Sequence, residues 1–175
     1  ATDLLEIEIS DYLVRISERT NLEHALTERI RNMQTMINDL ERIADIYYQI
    51  TKLSDRLHES KSSWPDEAYD EIRVMMEALH QAIKNMVLNV AREPREIKLE
   101  EAIAMEKHVN KLRNQFRENH YSRLENGNYS PRAGVVFIDA LNRLERIGDH
   151  VINVNEFASG HRLKDKRVTS NKRPA

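Results

Sequence analysis

An all-α bundle of five long antiparallel helices is the fold class this sequence predicts, on three observations. Only four Gly and four Pro interrupt 175 residues, too few turn-formers for a strand-and-turn architecture. Apolar residues recur at steps of three and four along most of the chain, the period of a helix with one buried face. An eight-residue pattern, N-x-L-E-R-I-x-D, occurs twice, at Asn38–Asp45 and Asn142–Asp149, as a duplicated helical unit would show.

The helices follow in order. The first, from Thr2 to about residue 17, carries Leu4, Leu5, Ile7, Ile9, Tyr12, Leu13 and Ile16, with Asp3 placed to cap it. A polar gap follows, where Thr20 and Glu23 have capping-box spacing. The second helix, about 22–60, has a core stripe of Leu26, Ile30, Met33, Ile37, Leu40, Ala44 and Tyr47. Ile43, Ile46, Ile50, Leu53 and Leu57 widen it, so this helix should touch more than one neighbour. Ser60–Ser63 reads as a loop, and Pro65 restarts a helix at its first turn. That third helix, about 65–91, buries Ile72, Met75, Met76, Leu79, Ile83, Met86, Val87 and Val90, and ends before Pro94. The fourth, about 97–125, carries Ala102, Met105, Val109, Leu112, Phe116 and Leu124, and Asn126-Gly127-Asn128 stops it. Ser130-Pro131 starts the fifth, which runs to Ser159-Gly160.

The repeat divides the chain into a partial first unit of two helices, residues 1–62, and a second of three, residues 63–160. Residues 161–175 read as a disordered basic tail. The chain starts without a companion helix ahead of it, as a fragment of something longer would. The net charge of −2 argues against a nucleic-acid partner. Without Cys, a metal must be held by carboxylates, His or backbone oxygen. No apolar run approaches the roughly 18 residues of a membrane span, and no signal peptide is visible, so the chain reads as soluble.

The repeated motif has a direction. With Ile37 at zero on the helical wheel, Leu40, Ala44 and Met33 fall within about 60° on one side. Glu41 lies about 40° and Asp45 about 80° to the other side, with Asn38 near 100°. Leu141, Glu145, Asp149 and Asn142 repeat these angles, and Arg42 and Arg146 point further out. Each helix thus carries an oxygen-bearing stripe along the border of its apolar face. Two carboxylates at i and i+4 repel by a few tenths of a kcal/mol, which a neighbouring Arg or Lys, or a cation, must offset. Such an all-oxygen set suits Mg²⁺, Ca²⁺, Mn²⁺ or iron. A solvated helix edge is the plain alternative.

Leu144-Glu145-Arg146-Ile147-Gly148-Asp149-His150 with Asn153, and the first copy Leu40-Glu41-Arg42-Ile43-Ala44-Asp45, resemble the PhoU family of phosphate regulators. The resemblance spans about residues 2–160. It implies PhoU-like tandem three-helix bundles with the first helix of repeat one missing. It also implies non-enzymatic regulation of phosphate transport, with iron, zinc, manganese, magnesium or calcium on Glu41, Asp45, Glu145 and Asp149. Asn38, Asn142, Asp11 and Glu106 are weaker candidates, and Asn110 stands where another carboxylate would help. Implied partners are a phosphate transporter's membrane domain, other transport or signalling proteins, or a second copy in a homodimer. PhoU-like units also form the cytoplasmic tail of bacterial sodium/phosphate cotransporters. On that reading the full protein is anchored in the inner membrane upstream; the alternative is a stand-alone cytoplasmic regulator.

The enzyme alternative is a carboxylate-bridged dimetal bundle, which needs two E-x-x-H units; the sequence offers Glu77–His80 alone. The wheel sets His150 about 100° from Asp149, away from the stripe. Met33, Met36, Met75, Met76 and Met86 fit core gaps, and Tyr47 and Tyr48 pack at the stripe's edge. No catalytic triad or phosphate-cradling glycine loop is present.

Overall fold

The apolar period becomes five helices: α1 (Thr2–Arg19), α2 (His24–Glu59), α3 (Asp66–Val90), α4 (Leu99–Glu125) and α5 (Pro131–Ser159), with a short 3-10 turn at Pro94–Glu96 before α4. They are seen in a computed structural model that describes residues 2–19, 23–59, 61–127 and 130–160. The Thr20 cap and the 161–175 tail lie outside the described residues.

Local chemistry sets the ends. Ser130 Oγ accepts the Ala133 amide at 3.2 Å, and Pro131 supplies the preset φ of a first helical residue. Gly160 closes α5 in the left-handed conformation, φ 73°, which a Cβ would disfavour. Pro65 sits one position earlier than expected. It is the residue before the first turn of α3, with Asp66 and Glu67 at that helix's positive end.

The packing centres on α5, which lies against α2, α3 and α4. Val136, Phe137, Ala140, Leu141, Leu144, Ile147, Val151 and Val154 are all buried, and so broad an apolar surface needs neighbours on several sides. Gly148 lets its neighbours approach closely. A Cβ there would stand 3.3 Å from Val109 Cγ1, tighter than ordinary packing, and 3.6 Å from Leu79 Cδ2. One continuous core joins Ile43, Ile46, Leu53 and Leu57 of α2 to Met75 and Leu79 of α3, Val109 and Phe116 of α4, and α5. Trp64 closes one end, its indole N–H donating to the Ala133 carbonyl at 2.9 Å. No helix among the described residues is long and apolar enough to cross a membrane.

Several expected core faces are turned. In α2 the residues that pack inward are Ile30, Asp39, Ile43, Ile46, Leu53 and Leu57, whereas Leu26 and Leu40 are exposed. Leu144, the repeat counterpart of Leu40, is 1% exposed, against 41% for Leu40. The reason is a difference in neighbours: α5 has three helices around it, whereas α2 lies between α1 and α5. In α1 Leu13 is buried, while Leu4, Leu5, Ile7, Ile9 and Tyr12 face outward. Met76, Val87 and Val90 of α3 are exposed as well, and Glu71 and Asn89 are buried in the same helix. Tyr48 is exposed, while Tyr47 packs at the core edge.

Those buried polar groups have partners. Asn89 Nδ2 donates to Asn155 Oδ1 at 2.7 Å, and both residues are sealed from solvent. His120 lies 3% exposed, stacked on Phe137 with ring centroids 5.5 Å apart. Burial, then the Arg123 cation, hold its imidazole below the ordinary value, with Glu71 acting the other way. The unfolded chain therefore takes up this proton first, and stability is expected to fall as pH drops below about 6.5, the unfolded value. The decline ends once pH passes below the depressed folded value. Urea midpoints of the native chain and His120→Gln, compared from pH 8 to pH 5, should converge on acidification. A gap that stays constant with pH would count against titration of His120.

Candidate metal centre and its second copy

The first stripe gathers three carboxylates. One oxygen each from Asp3, Glu41 and Asp45 lies within 4.8 Å of the others. α1 brings Asp3 down onto α2, where Glu41 and Asp45 stand one turn apart. The carboxyl of Glu41 is raised above its ordinary range by partial burial first, then by Asp45, Glu6 and Asp3. Every charge in that set is negative. Three converging oxygens make a fitting cradle for a hard cation, which takes carboxylate ligands and relieves their repulsion.

The expected ancillary residues divide. Asn38 and Asp11 are exposed, and among the described residues the carboxylate group is completed by Asp3, not by Asp11. The second stripe differs in kind. Glu145, on the border of α5, has its carboxyl raised by burial first and next by Asp149; Glu106 adds to this, while Arg113 and Arg146 oppose it. Arg113 Nη2 donates to Glu145 Oε1 at 3.1 Å across the α4–α5 contact. The Glu106 carboxylate is engaged by Asn110 Nδ2 at 2.8 Å. Asn142 faces solvent. Among the described residues no third acidic or His group closes on Glu145 and Asp149 as Asp3 does in the first stripe. One Glu145 oxygen is thus already engaged by a guanidinium, which makes Glu145/Asp149 a poorer donor set for a metal ion than the first stripe.

Four polar clusters went unmarked by the sequence pattern. His150 Nδ1 lies 2.7 Å from Asp39 Oδ1, and Asn153 Nδ2 lies at 3.5 Å from the same oxygen, tying α5 to α2. Glu71 receives both terminal nitrogens of Arg123, at 3.0 and 2.6 Å, and Asn119 Nδ2 at 2.7 Å. Asp139 accepts from Arg56 and from Arg143, which also bonds Gln49. Asn89 with Asn155 is the fourth. Each joins different helices, so spacing within one helix carries no trace of it apart from the i, i+4 pair Asp139/Arg143. Glu77 instead accepts from Gln81 within α3, and His80 is exposed.

A family model described as the PhoU domain matches residues 67–158. No curated protein and no solved structure matches the chain. The matched stretch covers α4 and nearly all of α3 and α5, and so contains the second stripe.

Proposed function

The chain belongs to the PhoU domain family, and from that premise we propose that it is a regulatory, non-enzymatic module in phosphate homeostasis that works by protein contact. The observation that carries this reading is the match over 67–158. An exposed apolar surface of this kind marks a contact site, and α1 with the outer side of α2 presents Leu4, Leu5, Ile7, Tyr12, Leu40 and Tyr48. The partner we propose is the membrane domain of a phosphate transporter, of the sodium/phosphate cotransporter type, with this chain on its cytoplasmic side.

The first stripe adds a cation to the proposal. Asp3, Glu41 and Asp45 would hold it, and a carboxylate set with no sulfur or imidazole favours Mg²⁺, Ca²⁺, Mn²⁺ or iron. The bound charge would fasten α1 to α2 and so set the geometry of the exposed apolar surface. Asp3→Asn/Asp45→Asn is expected to weaken Mn²⁺ binding by at least about tenfold, the lower end of what even an outer-shell loss costs. Equilibrium dialysis reads this directly, and equal binding by the two proteins would remove the cation from the proposal.

The regulatory reading has its own test. Phosphate uptake is measured in cells that lack the gene, and in the same cells complemented with the native chain or with Leu5→Glu/Tyr12→Glu. The native chain should restore the response of uptake to external phosphate, and the surface variant should not. Uptake indifferent to loss of the gene would overturn the assignment.

A further inference from the structure

We propose that Arg113 is the resident cation of the second carboxylate stripe, so that this stripe takes up no metal ion. The inference rests on reading the stripes as cation sites, and it separates two copies of one motif by what the neighbouring helix brings. Glu41/Asp45 and Glu145/Asp149 present the same i, i+4 repulsion from the same register. Against the first pair α1 sets Asp3, a further negative charge. Against the second pair α4 sets a guanidinium, 3.1 Å from the Glu145 carboxylate.

The two side chains of that ion pair are only 23% and 21% exposed, so water screens them weakly. Arg stays protonated at any pH a protein meets. A lysine could yield its proton to an arriving metal ion; this guanidinium cannot, and a divalent ion beside it would meet an unrelieved positive charge. The other carboxylate that could have joined the set, Glu106, is bonded by Asn110. Arg113 Nε and Asn110 Oδ1 are buried and lack hydrogen-bond partners. Around Glu145, Arg113 and Arg146 oppose the repulsion of Asp149 and Glu106, whereas the charges that act on Glu41, those of Asp45, Glu6 and Asp3, are all negative.

The consequence for regulation is a division of labour. The α3–α5 unit is locked by its own arginine whatever the metal supply, and metal availability acts on the α1–α2 pair, where the apolar surface is exposed.

The test counts bound Mn²⁺ per full chain by equilibrium dialysis and electron paramagnetic resonance, with circular dichroism to confirm folding. Glu145→Gln/Asp149→Asn should bind as many ions as the native chain. Arg113→Met should bind one more, and that gain should vanish in Arg113→Met/Glu145→Gln/Asp149→Asn. Arg113→Gln, which removes the charge but keeps a polar side chain, serves the same purpose should the methionine variant fail to fold. Loss of an ion in Glu145→Gln/Asp149→Asn overturns the proposal, as does the absence of any gain in a folded Arg113 variant. Asp3→Asn/Asp45→Asn keeps the two readings apart. If the native chain binds no Mn²⁺ the first-stripe reading fails, and the Arg113 variants still decide this one.

Discussion

Replacing Glu71 by alanine is expected to lower the unfolding free energy by about 3–5 kcal/mol, the cost of stranding one member of a buried ion pair. Both side chains of the Glu71–Arg123 pair are only 11% exposed. The pairing is bidentate, at 3.0 and 2.6 Å, and Asn119 donates to the same carboxylate at 2.7 Å. Truncation takes from the Arg123 guanidinium the carboxylate that both its terminal nitrogens bond, beside the Phe137 ring and in a region water reaches poorly. The pair itself need not be worth so much. Glu71→Leu with Arg123→Met, which removes both charges and keeps volume, is expected to cost much less than the single truncation, because no charge is left stranded. Urea denaturation at constant m-value measures both. A double variant as unstable as the single one would show that packing, and not the stranded charge, sets the loss.

Phe137→Ala is expected to cost about 3–5 kcal/mol, the usual range for emptying a buried aromatic site. The ring is fully buried where three elements meet. Trp64 packs edge-on against it at 5.6 Å, His120 stacks on it at 5.5 Å, and the Arg123 guanidinium lies 5.2 Å from its centre. These neighbours are fixed by other contacts, among them the Trp64 bond to the Ala133 carbonyl, so the site cannot collapse to fill the space. Tryptophan emission gives an independent readout, since Trp64 is the sole indole of the chain and loses its ring partner. Met33 holds the corresponding place in the first repeat and is only half-buried. Met33→Ala should therefore cost clearly less, and equal losses at the two positions would contradict this account of the core.

The helices were legible because their evidence is local. Ser130-Pro131 and Gly160 announce the ends of α5, and apolar residues at steps of three and four announce its length. Which row of a wide stripe turns inward was less legible. Leu40 and Leu144 occupy one register of one motif, and they differ only in how many helices surround them. Glu145 stands at the border of the core face of α5, whereas α2 turns Asp39, Ile43, Ile46, Leu53 and Leu57 inward and so leaves Glu41 and Asp45 away from that face; Asp3 and Arg113, which meet the two stripes, come from other helices. Here the sequence held a usable signal. In a helical hairpin, a residue lies opposite another at about equal distance across the turn. Folding about residues 20–23 sets Asp3 opposite Glu41, whereas Asp11 falls well short of it. The same step about residues 126–130 brings Arg113 near Glu145. The buried Asp39–His150 pair gave no such hint, because α2 and α5 are not consecutive helices.

The thin attachment of α1 has a thermodynamic consequence. Leu13 is the one buried hydrophobic side chain of this helix among the described residues, so little apolar area holds it down, and its opening free energy belongs at the low end of the molecule's range. Asp3 travels with it. Any cation that needs all three carboxylates sees only the docked fraction of molecules, and its apparent dissociation constant is the intrinsic one divided by that fraction. The bound ion in turn withdraws molecules from the undocked population. Hydrogen exchange along residues 2–19 would then slow with added Mn²⁺ while the amides of α5 keep their rates. With the proposed cation, α1 would be a latch whose closure and whose ion are two readings of one equilibrium.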